Sequence, residues 1–229
     1  MAKDTSKVLA GALFFIKDNV RTLIMALLWP TIVLTLIDLT FYLELGFIYS
    51  FVFELISFII QVIFAITIHR LVLLGPASLS RWGIVRWTWI ETKFLIRFVV
   101  LSFAIFIPII LLVSTIPGII VGALLALLLA SRLSLVFPAI AIDKRMSFIE
   151  SWRLTKNHFV LMMTVIVLLP ILFGATVYIF QFMPYGYFLS IPLYLLFIVY
   201  EVVALSLSYH LIIDESKVDA EGTNNHFND

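Results

Sequence analysis

The sequence predicts an all-α integral membrane fold: six transmembrane helices, organised as three parallel repeats of one interfacial helix plus two spans around a pseudo-threefold axis. Three observations carry this reading. Hydrophobic residues make up 63% of the 229 residues and charged residues 13%, with mean hydropathy +1.15, whereas soluble domains are about 45–50% apolar and about 25% charged. The excess is gathered into six apolar runs of roughly 20 residues, the length that crosses a ~30 Å hydrocarbon layer. Every Lys and Arg falls near alternate connections, never near the others. The two-residue alternation of an outer-membrane barrel strand is absent.

The remaining composition narrows the chemistry. A net charge of +1 points to neither nucleic acid nor acidic substrates. The chain has no cysteine, which excludes disulfides, thiol catalysis and Cys-metal sites. The first residues, Met1 to Lys7, lead into a stretch too broken for a signal-peptide core, and no small-x-small cleavage site follows. The first span is therefore expected to be retained.

Taken in order, residues 5–17 read as an interfacial helix, with Val8, Leu9, Ala12, Leu13, Phe15 and Ile16 apolar and Lys7 and Lys17 near its ends. The first span is about 20–39, kinked at Pro30, and the second about 46–68. A connection broken by Gly75-Pro76 leads to a second interfacial helix, 80–93, rich in tryptophan. The third span, 94–114, holds Pro108, and Pro117-Gly118 turns the chain into the fourth, 119–137. Ser147 and Glu150 have capping-box spacing and open the third interfacial helix, 147–157. The fifth span, 159–182, holds Pro170, and the sixth is 188–210. Residues 214–229 are polar and read as a disordered cytoplasmic tail.

Charge sets the expected orientation. Lys and Arg cluster at residues 3–21, 70–97, 132–156 and 217, while the turns around Glu44, Thr115 and Pro184 have none. The positive-inside rule then puts both termini in the cytoplasm.

The same unit recurs three times. Lys17, Lys93 and Lys156 lead the odd spans, and Pro30, Pro108 and Pro170 follow at nearly constant spacing. The even spans exit through His69-Arg70-Leu71, Ser131-Arg132-Leu133 and Tyr209-His210-Leu211. Such repeats share one orientation, so their axis lies along the membrane normal. In this register Gln61 and Glu201 are equivalent, each nine residues before its basic exit, and Ala123 takes the place in the middle unit.

Glu201 is the sharpest candidate residue, because an ionised carboxylate near mid-membrane costs at least about 2.5–3.5 kcal/mol. It is either a proton- or cation-binding group facing a polar interior with Gln61, or a protonated carboxyl bonded within the core. Glu54 lies in the outer half of its span. Arg70, Arg132 and His210 either snorkel to phosphates or form a basic ring that binds an anionic headgroup or closes a cavity between spans; Arg153 and Lys156 are further basic candidates at the cytoplasmic interface. The four histidines lack metal-ligand spacing. No Gly-x-Ser-x-Gly elbow or phosphate-cradling glycine loop occurs. No catalytic site, metal or cofactor is expected.

Pro117-Gly118-Ile119-Ile120, the aliphatic span after it, Pro138, Asp143-Lys144 and Ser151-Trp152-Arg153-Leu154-Thr155 resemble the YciC-like family of uncharacterised bacterial inner-membrane proteins. More distantly they resemble the membrane domain attached to some glycerophosphoryl diester phosphodiesterases. The resemblance implies a six-span inner-membrane protein with no established activity. The phosphodiesterase barrel is a separate domain in that arrangement, so its activity does not carry over. Two functions follow from these readings. One is an accessory or organising protein that binds anionic lipid or a membrane partner. The other is a small transporter or lipid-handling protein built around Glu201 and Gln61.

Overall fold

The computed structural model describes residues 2–40, 47–79, 87–183 and 186–225, and every regular element among them is helical. Six helices are long and apolar enough to cross a membrane. In chain order the elements are α1 (Ala2–Asp18), α2 (Val20–Thr40), α3 (Phe47–Leu74), α4 (Trp89–Leu112), α5 (Ile116–Leu133), α6 (Val136–Ala141), α7 (Phe148–Leu154), α8 (Phe159–Met163), α9 (Leu169–Gln181) and α10 (Gly186–Asn225). A π-helical stretch, Thr164–Leu168, joins α8 to α9 within the fifth span.

Consecutive spans form antiparallel hairpins: α2 with α3, α4 with α5, and α9 with α10. The hairpins meet where α3, α6 and α10 pack on one another. Phe64, Ile66, Ile68 and Leu71 of α3, Leu135 to Ala141 around α6, and Val203 to Ile212 of α10 hold most of the buried core there. The window around α4 has mean hydropathy 2.7, yet only 6% of it is buried. Ile110 and Leu111 point outward, as they would to lipid. Hydroxyls within the spans answer their own backbone: Thr67 donates to Ile63 O (2.7 Å), Ser206 to Val202 O (2.7 Å) and Ser208 to Ala204 O (2.8 Å). No span therefore presents a bare hydroxyl to hydrocarbon at these positions.

Several boundaries differ from those the sequence predicts, each for a local reason. Residues 80–86 of the expected second interfacial helix lie outside the described residues. From Trp89 the chain is already the first turn of α4, because Thr88 caps it. The Thr88 hydroxyl accepts from the Ile90 amide (3.2 Å), and the Glu91 carboxylate accepts from the Thr88 amide (2.7 Å) and hydroxyl. The third interfacial helix has the predicted Ser147–Glu150 capping box but ends at Leu154. The fourth span breaks at Ser134 and resumes as α6, beyond the expected end at 137. Pro138 has no amide to offer the Ser134 carbonyl, which accepts from Phe137 N at 3.1 Å instead. In the fifth span Pro170 would crowd a carbonyl one turn back. The wider π turn relieves this, and the Leu169 amide reaches Thr164 O, five residues away.

Within the expected tail, 214–229, the chain is helical as far as it is described. Helix α10 runs on through residues 214–225, and residues 226–229 lie outside the described part. Polar pairs at helical spacing support the extension: His210 Nδ1–Asp214 Oδ2 at 2.9 Å and Lys217 Nζ–Asp214 Oδ1 at 3.7 Å. His158 Nε2, from the turn before α8, meets Glu215 Oε2 at 3.4 Å. Helix α1 covers the predicted 5–17 and is tied to α10, with the Tyr200 hydroxyl donating to Leu9 O at 3.0 Å.

The α4–α5 hairpin closes on Gly122. A Cβ there would sit 3.0 Å from both Ile109 Cα and Pro108 O, whereas one at Gly174 would meet nothing within 4 Å. Gly122→Val is expected to lower stability by about 1–3 kcal/mol, and Gly174→Ala to leave it unchanged or slightly raised. Thermal unfolding of the detergent-solubilised protein checks both; equal effects of the two substitutions would show that this close approach does not constrain the hairpin.

Candidate functional site

Two cavities lie on opposite sides of the α4–α6 contact. The first is inside the span region, about 330 Å3, and both Gln61 and Glu201 line it. The second is a groove of about 780 Å3 where α4 begins and α6 ends, lined by Lys93, Arg97, Lys144 and Arg145. Aromatic rings form the partition. Phe94 and Phe98 of α4 meet Phe137 of α6 with centroids 4.9 and 6.0 Å apart, and all three face the inner cavity.

The inner cavity is bounded by α3, α4, α6 and α10. Glu201 is half-buried, and its carboxylate makes no hydrogen bond or ion pair among the described residues. Gln61 donates its amide to Ser57 Oγ at 3.2 Å. His69, 1% exposed, also lines the wall, and its Nδ1 lies 2.7 Å from Ser206 Oγ. Because Ser206 gives its one proton to Val202 O, it accepts from His69. The network thus assigns the proton to Nδ1 and leaves Nε2 an acceptor. Sequence reasoning passed over His69 because a lone histidine at a helix exit carries no spacing signal.

The groove owes its charge to two separate stretches. Lys93 and Arg97 stand one turn apart on α4. Lys144 and Arg145 follow the end of α6, where Asp143 adopts the left-handed conformation at φ 56°. The Lys144 amide returns to Ala139 O and the Asp143 amide to Ile140 O, both at 2.9 Å, the pattern that closes a helix with a left-handed residue. This turn aims the loop back over α4, where Lys93 Nζ pairs with Asp143 Oδ1 at 3.0 Å. Arg97 lies over the Phe148 ring, 5.1 Å from its centroid. The side chains of Lys144 and Arg145 are exposed and form no ion pair among the described residues. Four cations face two acids, Asp143 and Glu150, and Glu150 is engaged in capping α7.

The basic residues singled out from the sequence are not gathered into a ring. Arg132 is 7% exposed and enclosed by α7. Its Nη2 donates to Trp152 O at 2.7 Å, and its guanidinium lies 4.7 Å from the Trp152 ring centroid. Its own carbonyl, one of the orphans at the end of α5, accepts from Ser151 Oγ (2.8 Å) and Thr155 Oγ1 (3.2 Å). Arg132 therefore clamps the interfacial helix instead of snorkelling. His210 is exposed and paired with Asp214. Arg70 is half-buried, Arg153 and Lys156 face outward, and Glu54 is exposed on α3.

Six membrane-length apolar helices with short capped connections have the architecture of a polytopic helical membrane protein. Compared with protein families, curated proteins and solved structures, the chain matches none.

The clamp makes a separable prediction. Arg132→Ala removes a charged hydrogen bond and a cation–π contact and is expected to cost about 1.5–3 kcal/mol. Arg132→Lys recovers only part of this, because an ammonium cannot hold the same planar stacked geometry. Protease sensitivity of the α7 region and thermal unfolding both report it. A fully stable Arg132→Ala protein with α7 still protected contradicts the clamp.

Proposed function

We propose that this chain is an accessory or organising protein of the bacterial inner membrane, in the YciC-like family, and that it holds an anionic phospholipid headgroup in the Lys93–Arg97–Lys144–Arg145 groove. The observation that carries this reading is the groove's pair of cations without an ion-pair partner among the described residues, Lys144 and Arg145, beside Trp89, which is 65% exposed. Indole rings favour the headgroup level, and each basic side chain near an anionic surface contributes about 1 kcal/mol.

In this reading both termini are cytoplasmic; the support is that all fifteen Lys and Arg residues fall, along the sequence, near alternate connections. The threefold repeat belongs to this proposal too. Its support is the packing of α3 and α10 on each other and on α6, the end of the fourth span, with each odd span paired to the even span that follows it. It is further supported by the burial of His69, Ser131 and Tyr209, the residues just before each basic exit. The second reading, a transporter or lipid-handling protein, is favoured by the cavity that Gln61 and Glu201 share.

Lipid titration tests the groove. Phosphatidylglycerol added to the delipidated protein is expected to raise its melting temperature more than phosphatidylcholine does, with an effect that weakens as salt rises. Lys144→Ala with Arg145→Ala should weaken phosphatidylglycerol binding roughly 30-fold, following about 1 kcal/mol per charge, and Asp143→Asn should strengthen it. Equal stabilisation by the two lipids, or an unchanged response in the double variant, overturns the reading.

A further inference from the structure

Besides Tyr194, the polar side chains lining the inner cavity are Glu201, Gln61 and His69. Glu201 offers a carboxylate with no partner among the described residues. Gln61 gives one of its two amide protons to Ser57, leaving the other and its carbonyl oxygen. His69 has committed Nδ1 to Ser206, leaving Nε2 as an acceptor. Each of the three offers an acceptor, and a carboxylate near the middle of the Pro192–Val218 span needs a counter-charge or a proton. The rest of the wall includes Phe94, Phe98 and Phe137, whose faces attract cations. A volume of about 330 Å3 lies within the range of about 300–1,000 Å3 typical of small-molecule sites.

We propose that this cavity binds a primary ammonium ion, with its N–H groups on Glu201 and the Gln61 carbonyl oxygen and its carbon skeleton against the phenylalanine rings. A divalent metal fits the wall poorly. Such an ion takes six or more oxygen ligands or several clustered His and acid side chains, and no group of three such residues exists among the described ones. The cavity is independent of the basic groove, which recognises the opposite charge, so either site can fail without the other. The ammonium reaches the cavity on a free amine or on an ethanolamine headgroup, and the chemistry of recognition is the same.

Titration calorimetry on the full chain in detergent tests the site, using phenethylammonium as the probe and 2-phenylethanol as its uncharged comparator. The ammonium is expected to bind at least tenfold more tightly than the alcohol, and Glu201→Gln to remove that preference while leaving the weak alcohol binding unchanged. A second measurement needs no variant: the rate at which dicyclohexylcarbodiimide labels Glu201 in the unaltered protein, read by intact mass. Phenethylammonium protecting Glu201 identifies a free amine. Protection by phosphatidylethanolamine in nanodiscs, but not by phosphatidylcholine, identifies the headgroup. The proposal is overturned if neither ammonium protects, if the alcohol protects equally, or if Glu201→Gln keeps the preference.

Discussion

Hydrocarbon tolerates neither free charge nor an unanswered backbone group, and most of this structure follows from that constraint. It selects helices, and it favours serines and threonines that bond their own backbone, as Thr67, Ser206 and Ser208 do. It also explains how the chain absorbs its prolines. Pro138 is met by a break, with the Ser134 carbonyl served from Phe137, and Pro170 by a widened π turn. At the end of α5 the exposed carbonyl of Arg132 is served by hydroxyls of α7, so an interfacial helix becomes part of the solution.

The same constraint separates two kinds of basic residue that look alike in composition. Arg132 is spent inside the protein, stacked on Trp152 and hydrogen-bonded to its backbone. Lys144 and Arg145 remain outside, on a loop that a left-handed Asp143 turns over the start of α4. Only the second kind has charge to offer a headgroup. Glu201 is the counterpart in the interior: an acid retained at a depth where acids are costly, beside a cavity that it shares with Gln61 and three phenylalanine rings.

The spans were legible because length and hydropathy are strong signals, and the Ser147 capping box because it is local. Gln61 and Glu201 share a cavity, as their equal distance from the basic exits suggests. The rest depended on tertiary geometry. The groove is assembled from Lys93 and Lys144, whose stretches are joined by a contact spanning 50 residues, so neither half announces the other. The helix beyond Asp214 has the polarity of a free tail and gains its order from pairs such as His158–Glu215. Arg132 reads as one more boundary cation until Ser151, Trp152 and Thr155 are seen to surround it.

The central claim is that charge partition fixes how the six helices sit in the membrane, with the groove and both termini on one face. The chain's lack of cysteine makes a direct measurement possible, since each introduced thiol is unique. Single cysteines at Ser6, Lys144, Ser216 and Thr115 would be labelled with a membrane-impermeant maleimide in intact cells and in inverted vesicles. The account predicts that Thr115→Cys reacts only from outside the cell and the other three only in inverted vesicles. Labelling of Lys144→Cys and Thr115→Cys from the same side would contradict it.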